Sequence, residues 1–362
     1  MLMRSPFPWQ EVRENILTTV SRKRYAVARI MKHLIAITAL LTAMIVPQQT
    51  IAQELTRIPF PYGPLGLNSV PFIIAKEARL FEKHGLAVDM VYVGASAVMV
   101  QSMLSGSANL AAFGGPAVIT NVLNGGDIIQ IAALLPYFTQ SLMVRADIRD
   151  LRSLQGKKIG ITRFGSVTDF ALRTLVERNN LKDVSTLQMG GFPEAVAALI
   201  RGAIDGAVLS PPHTFHLLKE GYRELVSPRD LRALGSGFLS QGIVARRSYA
   251  VTHRDLVVRL IKATVEATKF ASANEDFTKR LIGKYLGIAD SEVLRQSYSY
   301  VTENFAKDPS VPENILQSMV QRMAQLNMID AKAAQSTPTS AYYDNSFVNE
   351  LKQSGFLASV WK

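Results

Sequence analysis

The chain contains no cysteine. Disulfides, thiolate metal centres, cysteine nucleophiles and attachment to a membrane through a lipidated cysteine are therefore excluded. Charge is also sparse, at 19% of residues against 48% hydrophobic, an ordinary balance for a globular chain of 362 residues with room for two domains. Beyond the N-terminal leader there is no dense Lys/Arg block and no basic run interleaved with aromatics, so nucleic acid is not an expected partner. HExxH, GxSxG and P-loop patterns are missing as well. What charge there is leans positive. Of the net +11, residues 1–52 contribute +5 through seven Lys and Arg against two Glu, which leaves +6 on the remainder. A mild positive excess suits anionic solutes.

Lys32 opens a stretch with a charged start, an apolar run from Leu34 to Val46 and a small-residue end at Thr50-Ile51-Ala52. This is the layout of a secretory signal peptide cleaved after Ala52, and the apolar run is short for a bilayer. An N-terminal membrane anchor is the competing reading. Met31 directly precedes the charged residue, so the signal is expected over about 31–52, with residues 1–30 an extension ahead of the true start. Export without a lipid-anchored cysteine points to a freely diffusing periplasmic protein.

From Gln53 onward, short β-branched runs alternate with helical stretches. Strands are expected at Leu55–Pro59, Leu86–Val93, Leu110–Phe113, Ile128–Leu134, Ile159–Thr162, Thr186–Met189 and Ala207–Leu209, with helices at Val70–Arg79, Ala97–Leu104, Ala117–Leu123 and Val167–Arg178. This alternation predicts parallel β-α units, which bind ligands at the carboxyl ends of their strands. The chain repeats itself too. Val98–Gly115 and Glu194–Pro211 both read helix, Gly, then Asn or Asp three residues later, then strand, with Gly106 matching Gly202 and Asn109 matching Asp205. Two similar α/β lobes are expected, the glycines taking the C′ position of their helices. After about residue 246 the pattern is almost wholly helical, and Leu316, Met319, Val320 and Met323 form a core stripe at helical spacing.

The stretch richest in chemistry is Gly156–Ser166, GKKIGITRFGS, read as strand, tight turn and helix start. Ser166 stands where an N-cap belongs and Asp169 follows three residues on, which predicts a capping box. A helix start presents unpaired N–H groups and the positive end of the helix dipole, so Gly165 and Ser166 are candidate anion ligands. The competing use of Ser166 is as the cap itself. Ser96 and Gly114 are the matching candidates in the first lobe. Tyr62, Phe113, Tyr137, Phe164 and Phe192 are candidate aromatic walls or core residues, and Arg163 is either a bidentate partner for an acid group or a solvated surface charge.

In order along the chain, FEKHGLAVDMVYVG (Phe81–Gly94), the helix-Gly-x-x-Asn-strand unit, LQGKKIG (Leu154–Gly160), Gly165-Ser166, the helix-Gly-x-x-Asp unit and YYDNSF (Tyr342–Phe347) resemble the nitrate/taurine/alkanesulfonate class of periplasmic substrate-binding proteins, the NMT1/THI5-like group. The resemblance covers roughly residues 55 to 357. It implies an α/β, two-lobed periplasmic-binding-protein fold of type II, each lobe a sheet flanked by helices, with a helical C-terminal segment. Lobe 1 is expected over 53–143 and 246–362 and lobe 2 over 144–245, with hinge crossings near Leu142–Arg145 and Gln241–Arg246. It further implies a monomeric solute-binding component of an ABC importer, with a small organic anion, a sulfonate or carboxylate, and the permease transmembrane subunits as partners. The ligand would lie among Leu67, Asn68, Ser96, Gly114, Tyr137, Thr162, Gly165, Ser166, Phe192 and Ser210, and no catalytic residue, cofactor or metal is implied.

Other readings compete. A thiamine-pathway pyrimidine would stack on aromatics without needing charge, and a sensor subunit would use the same fold. One branch of the resemblance makes a thiamine pyrimidine precursor from histidine and pyridoxal phosphate, but it carries a Cys-rich motif that this chain lacks. His213 and His216 have a metal-ligand spacing without an evident third ligand, and surface or capping histidines are the alternative.

Overall fold

The computed structural model describes residues 54–234 and 237–362 together with Met31, so the expected leader and signal peptide lie outside the described residues. Two five-stranded sheets organise the rest. Strand β1 (Thr56–Tyr62) is flanked in parallel by β2 (Leu86–Tyr92) and β3 (Leu110–Ala112). The first sheet has the order β2-β1-β3-β10-β4, with β4 at Ile128–Leu135 and β10 at Gln241–Arg246. All eight residues of β4 are buried, as expected of a strand covered on both faces. Helices α1 (Val70–Glu77), α2 (Ser96–Leu104) and α3 (Gly115–Leu123) follow β1, β2 and β3.

The second sheet repeats this plan. Its order is β7-β6-β8-β5-β9, built from β5 (Ser141–Val144), β6 (Lys158–Ile161), β7 (Ser185–Gln188), β8 (Gly206–Leu209) and β9 (Arg223–Val226). Here β6 runs parallel to β7 and β8, while β5 is antiparallel to β8, just as β10 is antiparallel to β3. Helices α4 (Val167–Arg178), α5 (Phe192–Ile200) and α6 (His213–Lys219) follow β6, β7 and β8. The sequence echo falls on equivalent pieces, α2-β3 and α5-β8. Gly106 and Gly202 end their helices at φ values of 78° and 71°, the left-handed region that glycine enters without strain. Strand β9 and helix α6 escaped the sequence reading. The first is a four-residue strand with alternating charge, and the second follows two prolines that look like a stop.

The segments expected as hinges are themselves strands. Leu142–Val144 belongs to β5 in the second sheet, and Gln241–Arg246 is β10 in the first. The chain therefore changes sheet within residues 136–140 and again in the segment ending at Ser240. The C-terminal segment is helical, as expected. Helix α7 (Arg254–Ala273) packs on the first sheet through Val257, Leu260 and Ile261. Helices α8 (Ser291–Asn304), α9 (Glu313–Gln325) and α10 (Ala331–Ser336) follow. The Leu316, Met319, Val320 and Met323 stripe of α9 enters a cluster that joins Ile119 and Ala133 of the first lobe to Phe170 and Val208 of the second. Buried Arg322 of α9 pairs with Glu177 on α4, so this helix is tied to both lobes.

The same cluster holds the rings of both crossing segments. Phe138 and Phe238 stack at 4.0 Å between centroids and 4°, with Phe170 5.2 Å from Phe238. Truncating a buried aromatic costs about 3–5 kcal/mol. Phe238→Ala is expected to lower the unfolding free energy by that amount, read as a lower denaturant midpoint at an unchanged slope; a loss below about 1 kcal/mol would show that the stack does not hold the crossings.

Candidate functional site

In each sheet, the three parallel strands end where helices begin. β1 runs into a 3-10 turn at Leu67–Ser69, β2 into α2, β3 into α3, and β6, β7 and β8 into α4, α5 and α6. The two groups of strand ends face each other, so positive helix starts converge from both lobes on one cleft.

The cleft is shut by backbone against backbone. Across the cleft the Leu67 amide donates to the Pro211 carbonyl at 3.0 Å, while at the cleft edge of the first sheet the Gly115 amide continues the β3–β10 pairing to the Leu239 carbonyl at 2.9 Å. A methyl group placed on Gly94 falls 2.4 Å from the Gly190 carbonyl oxygen; on Gly114 it falls 2.6 Å from both the Leu239 oxygen and a Val167 methyl; on Gly66 it falls 3.1 Å from the Pro211 oxygen and 3.7 Å from the Phe192 ring. Only residues without a Cβ allow this approach.

Beneath these contacts lies a buried polar floor at the crossings. Gln140 Nε2 donates to Thr139 Oγ1 at 3.0 Å and lies 3.4 Å from Ser210 Oγ, and Ser240 Oγ donates to Gln140 Oε1 at 3.2 Å and to the Tyr137 carbonyl at 2.6 Å. Three buried polar atoms of cleft residues have no partner among the described residues: Asn68 Oδ1 of the 3-10 turn, Ser96 Oγ at the first residue of α2, and Gln241 Nε2 at the end of the second crossing.

The turn after β6 differs from the sequence expectation in a way that bears on chemistry. Ser166 makes no side-chain cap. Its hydroxyl is held by Thr162 Oγ1 at 2.9 Å and by the Arg163 amide at 3.2 Å. Asp169 reaches back to the Gly165 amide at 2.9 Å and accepts from Arg173 Nε at 2.8 Å. The Gly165 N–H thus already serves an anion, the chain's own carboxylate, and the capping box of Ser166 with Asp169 does not form. The amides of Val167 and Thr168 are left without a partner among the described residues. Thr162 is likewise engaged within its own lobe: its amide donates to Thr168 Oγ1 at 2.9 Å and its carbonyl accepts from the Gly190 amide at 2.9 Å.

The remaining candidates divide. Leu67, Asn68, Ser96, Gly114, Ser166, Phe192 and Ser210 meet at or beneath the cleft. Phe192 is fully buried and lies edge-on to His213 at 5.5 Å. Tyr137 spends its hydroxyl on the Asn304 carbonyl and lies under Arg232, and burial pushes its pKa up to about 12. Phe113 packs among Met99, Met103 and Val118 in the core, and Tyr62 packs in the first sheet's core beside Tyr92. Phe164 is exposed and, with Gly165, borders a cavity of about 400 Å³ against α2 and α3; Arg163 is exposed. Sequence reading missed Gly66, Gly94, Gly190, Thr139, Gln140, Ser240 and Gln241. The signal available for the glycines was their position one or two residues past β2 and β7, equivalent strands of the two lobes. Glu194, which the sequence offered with Asp169 as an acid able to reach into the cleft, folds its carboxylate over Gly191 and holds the neighbouring Tyr92 phenol above its usual range after burial has already raised it.

His213 bridges the lobes, its Nε2 2.9 Å from the Leu65 carbonyl oxygen. Among the described residues no group of three or more His, Cys, Asp or Glu is placed to hold a metal ion. Burial depresses the His213 pKa below 6.5, with His216 acting in the same direction and the Leu65 carbonyl and Glu194 opposing it. A histidine whose pKa is lowered on burial contributes stability that is whole above 6.5 and fades as pH falls toward the depressed value. Wild-type protein is therefore expected to lose more melting temperature between pH 7.5 and pH 5.5 than His213→Gln; identical losses would remove His213 from the pH dependence. Gly94→Val is expected to hold the lobes apart, measured as a larger radius of gyration by X-ray scattering, and an unchanged radius would show that the Gly94–Gly190 approach is not needed.

Comparison with known proteins agrees with this architecture. The NMT1/THI5 like family model matches residues 67–276. The chain is 26% identical over 216 residues to the taurine-binding periplasmic protein of Escherichia coli (strain K12), covering 58% of this chain and 65% of that one. The solved alkanesulfonate-binding protein of Xanthomonas axonopodis pv. citri superposes with a TM-score of 0.67 at 16% identity over 77% of this chain and 96% of that one. The nitrate-binding protein of Synechocystis PCC 6803 superposes with a TM-score of 0.62 at 14% identity over 85% and 99%. With two sheets of one topology facing each other across a cleft, and a family match over more than half its length, this chain belongs to the NMT1/THI5-like family and has the periplasmic binding protein fold.

Proposed function

We propose that this protein is the solute-binding component of an ABC importer, exported to the periplasm, where as a monomer it captures a small organic anion and presents it to the permease. The family match and the taurine, alkanesulfonate and nitrate relatives support the class. The observation that carries a ligand in the cleft is the trio of buried unpartnered atoms, Asn68 Oδ1, Ser96 Oγ and Gln241 Nε2. Leaving such a group unpaired costs about 1–3 kcal/mol, which a ligand that pairs it recovers. An acid group is held by the free amides of Val167 and Thr168 at the start of α4, not by Gly165, whose amide Asp169 already occupies. Contacts from both lobes favour the closed state, and the crossings at 136–140 and ending at Ser240 let the lobes rotate; the shift in population equals the ligand's differential affinity for the two states. Glu194 beside Tyr92 supports a second reading, in which the ligand also carries an ammonium group.

Thermal-shift screening of residues 53–362 tests the class. Simple sulfonates or carboxylates are expected to raise the melting temperature, by about 2.7 kcal/mol of stabilisation at a hundredfold excess over Kd. A larger rise with an aminosulfonate favours the second reading. A response confined to pyrimidines or sugars overturns the anion. Asn68→Leu tests the site: removing a buried orphan is expected to raise ligand-free stability by about 1 kcal/mol while abolishing binding. A destabilised variant with binding intact would make Asn68 structural.

A further inference from the structure

We infer that the C-terminal helices form a second small-molecule site, distinct from the inter-lobe cleft and suited to an uncharged, hydrogen-bonding ligand. Helices α9 and α10 and the turn at Thr339–Ala341 enclose a cavity of about 660 Å³. That is within the range of about 300–1,000 Å³ typical of ligand pockets. Its composition is selective. Gln317, Gln321, Gln325 and Gln335 bring four carboxamides to the wall, Thr337 and Thr339 add hydroxyls, and no ionisable group other than the Tyr342 phenol lines it. Three of these carboxamides offer both donors and acceptors, while Gln325 Oε1 already accepts from Arg322 Nη1 at 3.1 Å and leaves its donors. A charged ligand would find no counter-charge here, whereas a neutral molecule bearing amides or hydroxyls would find partners of both kinds. Val320 and Pro338 supply apolar surface. Tyr342, in the same wall, is fully buried, and among the described residues its hydroxyl has only the nearby Thr337 side chain as a weak partner, so the protein alone leaves it under-satisfied.

The site is mechanically attached to the hinge. Next to Gln317 and Gln321 on α9, Ser318 Oγ accepts from the Gly237 amide at 2.9 Å and Met319 Sδ from the Leu239 amide at 3.2 Å, both in the second crossing. On the far wall, the Tyr342 carbonyl accepts from the Gln130 amide of β4 at 2.9 Å. A ligand that draws these walls together acts on the crossing segment and on the first sheet at once, so its occupancy biases lobe closure.

Calorimetry on residues 53–362 tests this with three uncharged probes, N-acetylglucosamine, trehalose and uridine, against charged counterparts glucosamine and glucuronate. At least one uncharged probe is expected to bind saturably and the charged ones not. Gln321→Glu and Gln335→Glu, both at the cavity wall and away from the cleft, are expected to weaken that binding about tenfold while leaving the melting temperature and the cleft ligand's thermal shift unchanged. Saturating probe is expected to change the radius of gyration in the wild type and not in the Gln321→Glu protein at the same concentration. Absence of saturable binding, equal binding of the charged probes, or binding unaffected by both substitutions overturns the site; an unchanged radius overturns its coupling to the hinge.

Discussion

Everything in this molecule depends on backbone meeting backbone across the cleft. At Gly94–Gly190 and Gly66–Pro211, strand-end turns of one lobe press on backbone of the other, and Gly114 admits Val167 of the second lobe against the β3–β10 edge. This approach encloses the polar floor of Thr139, Gln140, Ser210 and Ser240 and removes it from water, where its hydrogen bonds gain strength and its unpaired atoms become costly. The same geometry explains why the helix starts matter. Their unpaired amides are brought together from two independent sheets, and neither lobe alone assembles the full set.

Much of the fold was legible in the sequence because its signals are local. Helix α4 occupies the residues its pattern predicted, Val167–Arg178, and most other expected helices and strands lie within one to three residues of their predicted ends. The echo of Gly106 and Gly202 correctly announced two lobes of one topology, since a C′ glycine is demanded by the φ of a helix end and not by anything distant. The crossings were displaced by a few residues because apolar runs such as Leu142–Val144 and Gln241–Ala245 read equally well as linkers and as strands; only pairing with a partner strand decides.

For the candidate site, the sequence pointed to turns at the ends of parallel strands but not to how their polar groups are used. Asn68, Ser96, Gly114, Ser166, Phe192 and Ser210 lie at such turns or at the helix starts that follow them. The capping box was not formed, because Asp169 lies within reach of two consecutive amides and the chain uses that of Gly165, with Arg173 holding the other oxygen. Gln140 and Gln241 carried no signal at all. A glutamine inside an apolar run looks like an interruption until the fold places it at the crossing of two lobes. The role of α9 was hidden for a related reason: its Met stripe announced burial but not that the core it enters is shared by both lobes.

The central claim is that a ligand closes two lobes that otherwise open about the crossings at 136–140 and before Ser240. The absence of cysteine makes a direct measurement simple, because Ser107→Cys and Lys182→Cys place one spin label on an exposed position of each lobe with no competing thiol. Pulsed electron resonance on this pair, with and without the anion that gives the largest thermal shift, reports the distance between lobes. The account predicts a long, broad distribution that becomes shorter and narrower with ligand. One unchanged distribution in both conditions would contradict it.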